Sequence, residues 1–146
     1  MSVSTELDRR VRQRAKGHCE YCRLPQSIYP LTFQIDHIVA EQHHGKTQMN
    51  NLALACPRCN RCKGPNLAGI DPKTHQLSAL FHPRRDRWRE HFRWYGPRIL
   101  GSTPIGRVTI QVLNLNHPDD LRLRRVLIAE GAFPPNEESE DVGNRA

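Results

Sequence analysis

Residues 34–63 read QIDHIVAEQHHGKTQMNNLALACPRCNRCK, and this stretch decides the fold. Strand character runs over 31–39, carried by Phe33, Ile35, Ile38 and Val39. Residues 41–48 are polar and include Gly45, which suits a long hairpin connection, and the return begins at Asn50-Asn51-Leu52. Pro57 suits the first turn of a helix that runs to about Lys63 and stops at Gly64-Pro65. The reading is a hairpin followed by a short helix. On that helix Asn60 and Lys63 are three residues apart and share a face, with Cys59 rotated one position away. Sulfur and amide can therefore serve different sites.

Cys56 and Cys59 form a C-x-x-C knuckle, and Cys19 and Cys22 form another. That spacing lets two thiolates from one tight turn reach the same tetrahedral ion. Four sulfurs close the coordination sphere, so the expected ion is a structural zinc with no open position for chemistry. The fifth cysteine, Cys62, lies one helical turn after Cys59 and reads as a partly buried small apolar residue. An odd cysteine count without an apolar signal segment points to a reducing compartment and metal ligation, not disulfides. No apolar run reaches the ~18 residues of a membrane span, so a cytoplasmic location without membrane partners is expected.

Asp36, His37 and Asn60 carry different chemistry. A carboxylate and an amide oxygen suit a hard cation such as magnesium or manganese. An imidazole beside such a cation can take a proton from water near neutral pH. Together they fit metal-assisted phosphodiester hydrolysis. Adjacent strand residues point to opposite faces, so Asp36 and His37 share a site only at a strand end or a distortion.

The net charge is +7, and the tail from 136 to 146 contributes −3, which leaves +10 on the remainder. That excess points to a polyanion such as nucleic acid, with a solvated basic surface as the other reading. Arg58, Arg61 and Lys63 on the short helix are the candidate nucleic-acid contacts. Arg84, Arg85, Arg87, Arg89 and Arg93 interleave with Trp88, Phe92, Trp94 and Tyr95. The aromatics there read as core and the arginines as its surround, with a nucleic-acid groove as the alternative.

Taken as a set, these motifs closely resemble the HNH endonuclease family over about residues 5–65. The carrying residues are Cys19-Glu20-Tyr21-Cys22, Ile35-Asp36-His37-Ile38, Asn51-Leu52 leading to Cys56, and Cys59-Asn60 leading to Lys63-Gly64. The resemblance implies a ββα-metal core with His37 as general base. It implies Asp36 and Asn60 as ligands of the catalytic divalent ion, and Asn51 orienting the hairpin and His37. The family often has histidine where Asn60 stands; asparagine keeps an oxygen ligand. It often has Gly-Gly where this chain has His43-His44-Gly45.

Outside the motifs, Thr5 and Asp8 match a capping box for a helix to about Lys16 with Leu7, Val11 and Ala15 on one stripe. A turn at 70–74 precedes a strand at 77–81, a helix over 86–92, and a hairpin over 92–100 broken at Gly96-Pro97. Thr103-Pro104 and Pro118 each begin a further helix.

The expectation is an α+β fold: a ββα-metal HNH core clipped by a four-cysteine zinc site, with flanking helices and short hairpins. It is one nuclease domain over 1–135 with its motif core at 17–65, then a disordered acidic tail over 136–146. The expected activity is divalent-metal-dependent hydrolysis of DNA. The alternative is a zinc-stabilised DNA-binding module without nuclease activity.

Overall fold

The chain begins with a helix whose first turn is held by Ser4. Its hydroxyl accepts from the Leu7 N–H at 3.2 Å, so the cap lies one residue earlier than the Thr5–Asp8 box predicts. The structure, a computed structural model, describes residues 3–134. The acidic tail expected to be disordered lies outside the described residues.

This first helix, α1 (Thr5–Ala15), buries Val11 and ends at Lys16 in the left-handed region. Arg14 crosses from it to donate to the Met49 carbonyl at 2.9 Å and to the Leu52 carbonyl. Strands β1 (Gln34–His37) and β2 (Leu52–Ala55) pair antiparallel, with Asp36 opposite Ala53 and His37 opposite Leu52. Every residue of β2 is buried. Burying a leucine such as Leu52 or Leu54 contributes roughly 1.5–3 kcal/mol.

β1 is shorter than the predicted 31–39 because side chains capture the backbone at both ends. The Phe33 N–H donates to Gln26 Oε1 at 2.6 Å, and the Val39 N–H donates to Asn51 Oδ1 at 2.9 Å. Helix α2 (Pro57–Lys63) follows β2 directly, with Pro57 in its first turn and Cys56 as its N-cap. Two strands and a helix in that order are the core arrangement the resemblance implies.

The second half adds β3 (Ala68–Ile70) and β4 (Leu77–Ala79), an antiparallel pair. β3 was not expected. Ala-Gly-Ile carries no strand signal, and its glycine serves packing instead: a Cβ on Gly69 would lie 2.9 Å from Val112 Cγ2. Asp71 closes the tip of this hairpin by accepting from the Lys73 N–H and the Thr74 hydroxyl, both at 3.0 Å. Arg107 clamps the same carboxylate with two bonds, at 2.9 and 2.8 Å.

Helix α3 (Trp88–His91) starts later than the predicted residue 86 because Asp86 is part of a turn, accepting from the His82 N–H at 2.9 Å. Strands β5 (Phe92–Tyr95) and β6 (Arg98–Gly101) form the hairpin expected around Gly96. Helices α4 (Pro104–Leu113) and α5 (Pro118–Ala129) complete the described chain. Thr103 caps α4 through its hydroxyl, which accepts from the Gly106 N–H at 3.1 Å.

The result is a mixed α+β fold of small antiparallel hairpins and helices. One cluster of buried side chains runs from Val11 and Leu54 to Leu113 and Leu127. Trp88 and Phe92 are buried within it, as expected of core aromatics, whereas Tyr95 is exposed. The Trp88 indole N–H donates to the Tyr21 carbonyl at 2.9 Å, joining the late aromatics to the first cysteine knuckle. Among the described residues no helix is long and apolar enough to cross a membrane.

Candidate active site

The four cysteines converge. Their sulfurs all lie within 4.8 Å of one another, and all four residues are buried. A tetrahedron with Zn–S bonds of ~2.3 Å has an edge of about 3.8 Å. The Cys22 and Cys56 sulfurs are 3.7 Å apart, which matches that edge. Each knuckle also turns a backbone N–H onto its first sulfur, Cys22 to Cys19 and Cys59 to Cys56. The Cys56 sulfur thereby caps α2, where the helix dipole favours negative charge. The donor set and its spacing fit a structural zinc. Cys62 stands outside the cluster, half-buried.

The first knuckle is stitched to β2. The Glu20 N–H donates to the Leu54 carbonyl, and Glu20 Oε2 accepts from the Leu54 N–H, both at 2.8 Å. The other Glu20 oxygen pairs with buried Arg84. The second knuckle is tied to α5 through Arg58, which lies 3.4 Å from Asp119 and 3.5 Å from buried Asp120.

Helix α2 lies along β1. Asn60 Nδ2 donates to Gln34 Oε1 at 2.6 Å, and Lys63 Nζ reaches Asp36 at 3.2 Å. Gln34 and Asp36 are alternate strand residues on one face, so the helix covers the face on which Asp36 lies. Asp36 is buried, and Tyr21 donates to its Oδ2 at 2.7 Å. Burial raises its pKa, against the opposing pull of the Lys63 ammonium and the Tyr21 hydroxyl. Lys63 also donates to the carbonyls of His37 and Ile38, at 3.2 and 2.9 Å. Lys63 is therefore no surface contact for nucleic acid: it is 2% exposed, because a buried carboxylate and two carbonyls take its ammonium. Arg58 is largely covered by its carboxylates, and Arg61 is exposed.

His37 ends β1 and turns the other way. Its Nε2 lies 2.8 Å from Thr47 Oγ1 in the hairpin loop. In the tautomer that donates its Nε2–H to that hydroxyl, Nδ1 is the basic nitrogen. The loop is fastened by Asn51, whose Oδ1 accepts from the Val39 N–H. Its Nδ2 donates to the carbonyls of Val39 and Lys46, at 3.0 and 2.9 Å. The interior bonds of Asp36 and the loop bond of His37 thus lie on different sides of one strand end.

Asp36 and Asn60 offer a carboxylate and an amide oxygen. A carboxylate has about four acceptor sites, more than Tyr21 and Lys63 use. The Asn60 nitrogen faces Gln34, and its oxygen takes no part in that bond. Two oxygen donors fit an ion such as magnesium, which keeps several waters and completes its shell with substrate oxygens. Apart from the four cysteines, the described residues form no cluster of three histidine, cysteine or carboxylate ligands.

Sequence reasoning missed Tyr21, Thr47 and Glu20. Tyr21 and Glu20 lie between the two cysteines of a knuckle, where a residue with a buried role is the natural partner of the strand beneath. Thr47 lies ten residues from His37 in an aperiodic loop and carries no such signal.

The hairpin, the helix and the four-cysteine clip support a nuclease-type function in general terms. Residues 19–66 match the family model for HNH endonuclease. The Septu protein PtuB of Bacillus thuringiensis is 25% identical over 116 residues, which cover 78% of this chain and 42% of that protein. The chain thus spans less than half the length of that relative. No solved structure matches the chain.

Proposed function

We propose that this chain is a divalent-metal-dependent endonuclease that hydrolyses phosphodiester bonds of DNA. The observation that carries the reading is the His37–Thr47 contact at the end of β1, inside the segment that matches the HNH model. His37 Nδ1 takes a proton from water, the water oxygen forms the new bond to phosphorus, and the bond to the leaving oxygen breaks. Asp36 and Asn60 would hold magnesium or manganese, which supplies charge stabilisation at the phosphoryl oxygens when bound. Asn51 keeps the loop, and with it Thr47, in place. Arg61 is the exposed cation of α2 available to a backbone phosphate.

The Asp36–Lys63 ion pair favours a second reading, a zinc-stabilised DNA-binding module without hydrolysis. Incubating the purified protein with supercoiled plasmid, with and without magnesium or manganese, separates the two. Divalent-dependent nicking that is lost in His37→Ala supports the nuclease. Binding without nicking at any divalent concentration supports the module. Asp36→Ala and Asn60→Ala should each raise the divalent concentration needed, and an unchanged requirement overturns the ligand assignment.

A further inference from the structure

The hairpin loop has a second face. A cavity of about 340 Å³ opens between this loop and the turn at residues 82–86. His44 and Lys46 line it from the loop and His82 and Arg85 from the turn, with Gln48 and Asn50 completing the lining. No carboxylate lines it. Lys46 and Arg85 are exposed and make no ion pair with any described residue, so their charges are available to a ligand.

Both walls are preorganised. Gly45 lies so close to the hairpin that a Cβ there would be 1.7 Å from the Val39 carbonyl oxygen, and Asn51 ties the loop down on either side. On the turn, His82 Nδ1 accepts from the Arg84 N–H at 3.1 Å, which leaves Nε2 as the N–H donor of the neutral ring. Asp86, the nearby carboxylate, is engaged by the His82 N–H. Two cations and two imidazoles on fixed backbones suit a tetrahedral oxyanion, with the Lys46 and Arg85 side chains left to order on binding.

The loop alternates. Lys46 and Gln48 line the cavity, whereas Thr47 between them contacts His37. Resting on the nuclease reading above, we propose that this cavity is a subsite for a non-scissile phosphate of the nucleic-acid backbone, on the far face of the loop from His37. One wall of it comes from His82 and Arg85, outside the matched segment 19–66, so it extends the substrate track beyond that segment.

The test measures binding of a fluorescently labelled DNA duplex by anisotropy across a salt series, without added divalent ion and in a His37→Ala background that slows cleavage. The background protein should lose affinity steeply with salt. Adding Lys46→Ala and Arg85→Ala should make the slope of log K against log salt shallower by roughly 0.9 for each phosphate that is no longer neutralised. Arg85→Lys alone should keep the slope. In the His37 protein, the double change should raise KM with kcat unchanged. An unchanged slope in the double variant overturns the subsite while leaving the nuclease reading intact. A flat slope in the background protein overturns the nucleic-acid reading and the subsite with it. Inorganic phosphate, followed by amide NMR shifts at residues 44–46, 82, 84 and 85, provides the second arm. Shifts there without any change in the DNA slope identify a free-anion site and overturn the backbone assignment.

Discussion

Lys63 Nζ lies 3.2 Å from Asp36 Oδ2, and both side chains are almost wholly out of solvent. A buried pair of this kind gains little over an apolar one, but breaking it strands a charge and costs about 3–5 kcal/mol. Lys63→Met should therefore lower the unfolding free energy by that amount. Combining it with Asp36→Asn should recover part of the loss, because no full charge is then left unpaired. Urea unfolding of the parent and the two variants measures this, and a Lys63→Met protein as stable as the parent would contradict it.

The His37–Thr47 contact makes a separate kinetic claim. His37→Ala should cost ~100- to 10,000-fold in cleavage rate while leaving DNA binding intact. Thr47→Val removes only the partner of Nε2. A net hydrogen bond of about 1 kcal/mol corresponds to roughly a fivefold loss in kcat. Thr47→Ser should retain the rate. The variants also differ in a readout independent of activity: Thr47→Val should change the His37 tautomer populations seen by 15N NMR, and Thr47→Ser should not. Identical imidazole spectra across the series would remove Thr47 from its positioning role.

Zinc content should be one ion per chain. Cys56→Ser removes one of the four sulfurs while keeping an oxygen able to cap α2, so it should release the metal and lower the melting temperature sharply through the clip alone. Cys62→Ser, outside the cluster, should retain both. Elemental analysis with thermal melting checks each, and full metal content in Cys56→Ser would refute the clip.

Acid should weaken the fold through His82. Burial, reinforced by the neighbouring Arg85, lowers its pKa to about 4 against the partial opposition of Asp86. An unfolded histidine binds its proton below about 6.5. Between those values the unfolded chain holds more protons than the folded one, so stability rises with pH. The contribution is complete above about 6.5 and is lost as pH falls towards 4. His82→Gln should show a shallower loss of stability than the parent over that window. Parallel curves for the two proteins would show that His82 is not the group responsible.

Much of the site was legible because its elements are short and punctuated. Pro57 and Gly64 bound α2, and the two cysteine spacings mark the clip without any knowledge of the fold. The edges of β1 were not legible, because they depend on where the amide side chains of Gln26 and Asn51 come to rest. Lys63 was misplaced for a related reason. A lysine three residues from Asn60 reads as a helix-surface cation until the strand beneath supplies a buried carboxylate. Tyr21 and Thr47 became visible only once the chain had closed on itself, since each acts on a residue ten or more positions away.

The paired bonds between Glu20 and Leu54 also bear on how the protein fails. Glu20 occupies the open side of β2 much as a neighbouring strand would, satisfying both the donor and the acceptor of Leu54. If the first knuckle comes loose, that side of an entirely apolar strand is left with unmet backbone groups. Such an edge recruits a strand from another molecule. Demetallated protein should therefore self-associate through β2, and its insolubility would begin at Leu54.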